Sequence, residues 1–312
     1  MDYPTPLPRV AISGMTGLIG SALAASLHGD GHPLIALSSS GRSVSDAERT
    51  ARWPADTHTL DDDARDALST CQAVVHLAGE NIVGRWTAAK KRAIRASRVD
   101  RTRALAETLA DLPPDRRPAT LLSCSAIGIY PPSGETPLDE SSPTTDAAFL
   151  GDVARHWEAA TQPAIDAGLR VVHLRIGIVL AKQGGALTKM LPIFRLGLGG
   201  RLGDGKHYWS WIALHDLVAG IRRCLDDNAI AGPVNLTAPH PVTNADFTRA
   251  LGHALGRPTF FPVPSFAVKL AFDGLGEEEL LASRRVVPQR LIDADFSWQT
   301  PELGPALSRL LG

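Results

Sequence analysis

The chain has 312 residues, of which 44% are hydrophobic and 21% charged, a composition typical of a globular protein. Its 32 lysines and arginines balance 33 aspartates and glutamates, which excludes a global basic field, so we expect neither a nucleic-acid nor a membrane partner. Three scattered cysteines, none in a CxxC, exclude a disulfide scaffold and favour a reducing, cytoplasmic compartment. No Cys/His cluster has the spacing of zinc ligands, so we expect no metal site. The N-terminus lacks the features of a signal peptide, and no uncharged apolar run reaches the length of about 18 residues that a membrane span needs.

Short apolar runs alternate with helical patterns along the first two thirds of the chain. The apolar runs predict strands at residues 9–14, 33–37, 73–78, 120–126, 169–180 and 234–237. The helical patterns fall at residues 18–28, 86–110, 147–167, 214–227, 244–256, 266–282 and 301–311, the last with Thr300 as its N-cap. This alternation predicts an α/β fold with a doubly wound parallel sheet of the Rossmann type, which binds ligands at the carboxyl ends of its strands.

A glycine-rich turn follows the first predicted strand and opens the first predicted helix. Its residues are Gly14, Met15, Thr16, Gly17, Leu18, Ile19 and Gly20. Gly14 allows a tight turn, Gly17 lets the backbone approach a pyrophosphate, and Gly20 lets the helix pack closely on the strand. The turn therefore predicts a dinucleotide site with the phosphate charge at the positive helix N-terminus. A glycine-rich turn without a ligand is the alternative.

The stretch after the second predicted strand indicates which dinucleotide to expect. A fold that prefers NAD carries Asp or Glu there to bond the ribose 2′-hydroxyl, but the first acid here is Asp46, which comes too late. Ser38, Ser39 and Arg42 suit a 2′-phosphate instead. We therefore expect NADP(H), with a purely solvated loop charge as the alternative role for Arg42.

The regular alternation of predicted strands and helices changes near residue 184, where glycines and short apolar stretches become frequent. We predict that residues 1–183, completed by 212–237, form an NADP(H)-binding Rossmann domain. Residues 184–211 and 238–312 would form a small C-terminal α/β region that binds substrate. No linker is visible between the two, so the smaller region should pack over the sheet rather than form a tethered domain.

Several longer motifs resemble those of one enzyme superfamily. They comprise residues 14–20, 76–82, 85–86, 123–126, 174–180, 190–200, 211–212, 215–216 and 288–291. Through them nearly the whole chain resembles the extended short-chain dehydrogenase/reductases, and among these the atypical, epimerase-like subfamily with a small C-terminal domain of unknown function. The stretches LAGENI at 77–82 and FRLGLGG at 194–200 are specific to that subfamily, whereas the glycine turn is not.

The resemblance implies further site residues. It implies cofactor contacts from the sheet and the long helix, namely from Leu77, Ala78, Gly79, Arg98 and Arg175. Ser125 stands where the superfamily keeps its active-site serine. In one respect the chain departs from its relatives, which carry arginine directly after the second-strand serine. This chain has Ser39 there, so the role of Arg42 is inferred rather than matched.

The usual catalytic pair of the superfamily, Tyr-x-x-x-Lys on one helix, is missing. The lysine of that pair lowers the pKa of the tyrosine so that it can take a proton as hydride moves. None of the three tyrosines, Tyr3, Tyr130 and Tyr208, is followed four residues later by lysine, and the expected helix at 149–158 holds neither residue type. The conventional epimerase or ketoreductase mechanism is therefore not encoded.

Other side chains are candidates for the chemistry. Ser125 would hydrogen-bond the reacting oxygen. Glu80 could be an acid or base if burial near the cofactor raises its pKa, or a carboxylate that orders the next loop. Tyr130 could serve likewise, or be a wall-forming aromatic. Asp216 opens a helix and is more typical of an N-terminal acceptor than of a catalyst. The aromatic residues within 208–211 could form a substrate wall or pack in the core.

These observations favour an NADP(H)-dependent oxidoreductase or epimerase-like protein that acts on an unknown small carbonyl or hydroxyl substrate. A homodimer is one assembly that the sequence leaves open. The missing Tyr/Lys pair keeps a second class open, a non-catalytic NADP(H)-binding protein that signals redox state. A sugar-nucleotide epimerase, which the subfamily's usual labels suggest, ranks lower because no second nucleotide site is identifiable in the sequence.

Overall fold

The computed structural model describes residues 7–54, 57 and 59–312. Tyr3 and the N-terminal residues on which the signal-peptide expectation rests lie outside the described residues. The strands are β1 (Val10–Ser13), β2 (Leu34–Ser38), β3 (Arg49–Arg52), β4 (Ala73–His76), β5 (Thr120–Ala126), β6 (Pro137–Leu138), β7 (Arg170–Ile176), β8 (Ile178–Ala181), β9 (Tyr208–Trp209), β10 (Trp211–Ala213), β11 (Gly232–Leu236), β12 (Val242–Thr243) and β13 (Arg285–Val286).

Twelve α-helices lie in the described part of the chain. They are α1 (Leu18–Gly29), α2 (Asp62–Leu68), α3 (Ala88–Arg95), α4 (Arg101–Asp111), α5 (Phe149–Ala159), α6 (Gln162–Asp166), α7 (Gly185–Arg195), α8 (Leu214–Asp226), α9 (Asn244–Leu255), α10 (Ser265–Leu275), α11 (Gln289–Asp293) and α12 (Leu303–Leu311). A π-helical turn, Ala96–Asp100, joins α3 to α4, and a second one, Gly276–Leu280, follows α10. None of the helices within the described ranges has both the length and the apolarity that crossing a bilayer requires.

Seven strands form one parallel sheet in the order β11, β7, β5, β4, β1, β2 and β3. From β1 the chain builds outward to β2 and β3, and then returns to build β4, β5, β7 and β11 on the other side. The reversal opens a crevice at the carboxyl ends of β1 and β4, which is where doubly wound sheets bind ligands. The predicted doubly wound Rossmann-type fold is confirmed.

Both faces of the sheet are buried, as a parallel sheet requires. Along β1, Val10 and Ile12 belong to the core under α1 and α8, together with Leu23. Ala11 points to the opposite core under α2 and α4, together with Leu105. This alternation with a period of two residues lets a single apolar run supply two separate cores.

Outside the seven-stranded sheet, the prediction missed the short strands β6, β9, β10, β12 and β13. For the sheet itself, it differs from the structure in two places. It missed β3, which pairs with β2 at the edge of the sheet, because only four residues with two arginines carry it. The predicted strand at 169–180 is broken at Gly177 into β7 and β8, and β8 leaves the sheet to pair with β10. A Cβ at Gly177 would lie 2.6 Å from the carbonyl oxygen of Ser210, so glycine permits this close crossing.

Helix boundaries also differ from the prediction. The long helix predicted at 86–110 begins at Ala88 and contains the π-helical turn, and the helix predicted at 147–167 is two helices, α5 and α6. The last helix begins at Leu303 with Glu302 at its N-cap position, so Thr300 as the N-cap was wrong. Thr300 donates its hydroxyl to Asp216 at 2.7 Å instead.

A third core lies beside the sheet, in the C-terminal part of the chain. It contains residues of α7, α9 and α12 around Trp209, Trp211 and Phe247. The rings of Trp209 and Phe247 meet edge to face at 5.0 Å, and both tryptophans are buried. These contacts attach the C-terminal elements to β8 and β10. The exact division into a cofactor domain and a substrate region stays a prediction.

Candidate cofactor and active site

The glycine turn between β1 and α1 is built around a close approach of backbone to backbone. Gly14 has a φ of 75°, and a Cβ there would lie 2.8 Å from the amide nitrogen of Ala78. A Cβ at Gly20 would lie 2.1 Å from the carbonyl oxygen of Gly14. Gly17 is the N-cap of α1 and offers no side-chain cap, which leaves amide groups of the first turn to bond an anion. The turn therefore fits a pyrophosphate.

Polar side chains beneath the turn hold the ends of β1 and β4 together. Ser13 Oγ lies 2.5 Å from His76 Nδ1, and the same hydroxyl accepts a bond from the amide of Ala78 at 3.4 Å. Burial lowers the pKa of His76 to about 3, so this imidazole is neutral. The arrangement places Leu77, Ala78 and Gly79 next to the glycine turn, where the resemblance places a cofactor wall.

The loop after β2 carries hydroxyls and arginines. Ser38 Oγ lies 3.2 Å from Ser40 Oγ, which also accepts a bond from the amide of Arg42 at 3.3 Å. Ser39 and Arg42 are exposed. Arg52 on β3 stands directly beside Ser38 in the strand register, and a Cβ on Gly41 would lie 3.2 Å from Arg52 Cδ. Sequence reasoning missed Arg52 because it missed β3.

Arg98 lies on the π-helical turn, beneath the backbone that follows β4. Its Nη1 donates to the carbonyl oxygen of Glu80 at 2.9 Å, and its guanidinium lies 5.1 Å from the ring centre of Trp157. A Cβ at Gly79 would lie 3.4 Å from Arg98 Cζ. Burial lowers the pKa of Arg98. The arginine thus supports the Gly79 backbone from below.

Glu80 has a partner of its own. Its carboxylate accepts a hydrogen bond from Lys90 Nζ at 2.6 Å, and 42% of its side chain is exposed. Its amide donates to Ser97 Oγ at 2.9 Å. These contacts tie the loop that follows β4 to α3 and to the π-helical turn, which is the loop-ordering role that the sequence left open.

A buried network joins the two other proposed catalytic side chains. Ser125 Oγ donates to Glu158 Oε1 at 2.7 Å, and Arg175 donates to both oxygens of Glu158 at 2.8 Å. A third Arg175 nitrogen donates to the hydroxyl of Tyr130 at 2.8 Å, and that hydroxyl donates in turn to Asn235 Oδ1 at 2.8 Å. The network spans β5, α5, β7 and β11.

Charge and burial fix the protonation states in this network. Burial alone would raise the pKa of Glu158, but the hydrogen bonds from Arg175 bring it below its ordinary value. Burial raises the pKa of Tyr130, although Arg175 opposes the effect. Glu158 is therefore ionised and Tyr130 is a neutral phenol, with no exposed surface and with both hydrogen-bonding directions in use. The sequence carried no signal for Glu158 or Asn235, because only the fold brings them to Arg175.

The helix at 149–158, where the resemblance places the Tyr-x-x-x-Lys pair of ordinary superfamily members, is α5. Phe149 is its first residue. The Phe149 ring meets Trp86 edge to face at 5.3 Å, and Lys91 Nζ lies 5.0 Å from the centre of the Phe149 ring. The amides of Phe149 and Leu150 donate to the carboxylate of Glu278 at 3.2 and 2.9 Å. The C-terminal part of the chain therefore caps this helix.

Comparison with known proteins decides the family. Residues 10–236 match the model of the NAD dependent epimerase/dehydratase family, and residues 263–310 match DUF1731, a domain of unknown function. The chain belongs to the NAD dependent epimerase/dehydratase family. The resemblance that the sequence motifs indicate is thereby confirmed.

Two relatives from the same family align with this chain along nearly their whole length. An epimerase family protein of Mycobacterium tuberculosis is 40% identical over 299 residues, which are 96% of each chain. The epimerase family protein SDR39U1 of Homo sapiens is 36% identical over 307 residues, covering 97% of this chain and 99% of the human one.

Two solved structures are similar to this chain in fold as well as in sequence. The crystal structure of human SDR39U1 with NADPH has a TM-score of 0.85 at 33% identity, covering 97% of this chain and 99% of that one. A nucleoside-diphosphate sugar epimerase from Corynebacterium glutamicum has a TM-score of 0.77 at 36% identity. This chain spans only 59% of the length of the latter.

The remaining candidate site residues, Asp216 and the aromatic residues within 208–211, contact the C-terminal part of the chain. Asp216 is buried and accepts bonds from the amides of Gln299 and Thr300 at 2.7 and 3.1 Å. It therefore anchors the segment before α12. Trp209 and Trp211 are core residues, and Tyr208 is half-buried with its ring 5.1 Å from the guanidinium of Arg285. Core packing accounts for the two tryptophans.

Proposed function

We propose that this family member is an NADP(H)-dependent oxidoreductase or epimerase-like enzyme that acts on a small carbonyl or hydroxyl substrate. The observation that carries the proposal is the glycine turn from Gly14 to Gly20, together with the loop at the end of β2. That loop offers serines and arginine and has no carboxylate before Asp46. The human relative crystallised with NADPH supports the same cofactor.

Each part of the crevice would hold one part of the cofactor. The turn from Gly14 to Gly20 would bind the pyrophosphate, and residues 77–79 would line the path across the end of β4. Ser38 and Ser39 would bond the 2′-phosphate together with Arg42 and Arg52. Neither arginine pairs with a carboxylate within the described ranges, so both guanidinium groups are available to an anion. Bound NADP(H) would supply the hydride chemistry.

Ser125 is the side chain that we propose to hold the oxygen of the substrate. It is the next-to-last residue of β5, and its hydroxyl donates to Glu158 Oε1 at 2.7 Å. Arg175 would act through Glu158, as a positioning residue on the nicotinamide side. Glu80 and Tyr130 are weaker acid–base candidates, since Lys90 neutralises the first and the second is enclosed.

Cofactor titrations test this proposal. Isothermal calorimetry should show that NADPH binds more tightly than NADH. Arg42→Ala and Arg52→Ala should each weaken NADPH roughly tenfold, the effect of one lost charged hydrogen bond at an exposed site, and should leave NADH unchanged. Arg103→Ala, an exposed arginine on α4, is the matched control. Equal affinity of the wild-type protein for the two cofactors would contradict the proposal.

A redox-sensing protein without turnover is the second candidate. The start of α5 favours the redox sensor, because its first residue, Phe149, has no hydroxyl and its ring packs on Trp86. Steady-state NADPH oxidation over a panel of carbonyl compounds separates the two functions. Tight binding with no turnover on any compound would favour the sensor, whereas turnover that falls in Ser125→Ala would favour the enzyme.

A further inference from the structure

Three consecutive glutamates lie in the π-helical turn after α10, and each has a different environment. Glu277 is exposed and pairs with Lys269 at 2.8 Å. Glu278 caps α5 through the amides of Phe149 and Leu150. Glu279 has one carboxylate oxygen that is buried and that accepts no hydrogen bond from any described residue. A buried polar atom without a partner is costly, so its position needs an explanation.

Glu279 lies against the segment that follows β5. A Cβ on Gly128 would lie 3.0 Å from Glu279 Oε1, and Leu150 Cβ is the next side-chain neighbour of that site at 4.0 Å. Gly128 lies two residues beyond the end of β5, and Leu150 is in the first turn of α5. The pyrophosphate cradle lies at β1, and the adenine half of a dinucleotide extends toward β2, so its other half extends over β4 and β5.

Few charges act on this carboxyl. Arg284 Nη1 lies 3.6 Å from Glu279 Oε1, but that nitrogen already donates to the carbonyl oxygen of Glu278 at 2.7 Å. The Glu278 carboxylate is the like charge that acts on it. Lys91 of α3 lies over the ring of Phe149, the first residue of α5. Burial raises the pKa of Glu279, Arg284 opposes this, and Glu278 adds to it. About a quarter of the side chain, 26%, stays exposed, although its Oε1 is buried.

We propose that Glu279 is the acid–base group of this active site and takes the place of the missing tyrosine. This assignment of Glu279 rests on the proposed function. In the reducing direction the carboxylic acid gives its proton to the oxygen of the substrate carbonyl, while hydride from NADPH forms the new C–H bond and the C=O π electrons become the O–H bond. The carboxylate then regains a proton from water. The oxidising direction is the reverse.

The test is the affinity for the two redox forms of the cofactor as a function of pH. An ionised carboxylate beside the nicotinamide favours the positively charged ring of NADP⁺ over the neutral ring of NADPH. The ratio of Kd for NADP⁺ to Kd for NADPH should therefore fall, by roughly fivefold to tenfold, as pH rises through the titration of Glu279. The 2′-phosphate is common to both forms, so its own titration largely cancels in the ratio.

Three variants make the result specific. Glu279→Gln should make the ratio nearly independent of pH, and Glu277→Gln, the matched control, should keep the wild-type curve. Gly128→Ala displaces the Glu279 carboxyl without changing its chemistry, so it should shift the pH dependence of the ratio. This variant serves as the test if Glu279→Gln does not fold. A flat wild-type ratio, or a curve that Glu279→Gln leaves unchanged, would overturn the proposal. Failure to bind either form would instead refute the proposed function.

Discussion

Replacing Glu158 by glutamine tests whether the buried network stabilises the fold. The carboxylate accepts three bonds, one from Ser125 and two from Arg175. In Glu158→Gln one oxygen becomes an amide nitrogen that faces a donor, and the charge on Arg175 loses its partner. Only 5% of the Arg175 side chain is exposed, so water cannot replace the lost interaction.

Removing one partner from a buried ion pair costs about 3–5 kcal/mol. At roughly 2–4 °C per kcal/mol for a domain of this class, Tm should fall by about 6–20 °C. Differential scanning calorimetry measures it. Asp146→Asn breaks an exposed pair with Arg155 and is the control, with an expected cost below about 1 kcal/mol.

A double variant separates the lost pair from general damage. Arg175→Met added to Glu158→Gln removes the unpaired charge, so it should recover part of the lost stability. If Glu158→Gln lowers Tm no more than Asp146→Asn does, the network does not hold β5, α5 and β7 together, and the reasoning is refuted.

Three further outcomes follow from the geometry. Gly17→Val should abolish NADPH binding in calorimetry and change Tm little, because a Cβ there meets only the carbonyl oxygen of Gly14, at 3.2 Å; a Tm that still rises with NADPH would contradict this. Burial would raise the pKa of Glu158, but its bonded partner holds it below the ordinary value, so the stability it confers is complete above about pH 4.5 and is lost as pH falls through the folded pKa. The acid-induced drop in Tm should therefore be smaller in Glu158→Gln, and equal drops would count against it. Asp216→Ala should lower the free energy of unfolding by several kcal/mol, since each acceptor lost to a buried donor costs about 1–3 kcal/mol; urea denaturation measures it, and a change within about 0.5 kcal/mol would show that the anchor is dispensable.

The fold class was predictable because its signals are local in the chain. Apolar runs of strand length alternate with amphipathic segments, and the turn from Gly14 to Gly20 follows the first of them. Gly20 is required by a close backbone contact within the same βα unit, and Gly14 by one with the segment that follows β4. The same holds for the absence of Tyr-x-x-x-Lys, which is a statement about spacing along one helix.

The site beyond the turn depends on contacts between distant residues. Arg52 is beside Ser38 only because β3 pairs with β2. Glu158 and Arg175 are 17 residues apart, and Tyr130 and Asn235 are 105 apart, so no local pattern marks them as partners. The sequence shows Glu277, Glu278 and Glu279 as three equal acids.

The sequence by itself therefore determined the fold class, the phosphate-binding turn and the loss of the usual catalytic pair, because periodicity and spacing within single elements encode them. The tertiary structure alone decided which arginines stand at the end of β2, which carboxylate holds Arg175, and which of three adjacent glutamates lies against the end of β5. Those outcomes depend on how elements far apart in the chain pack, and burial and charge at such contacts do not exist until the chain has folded.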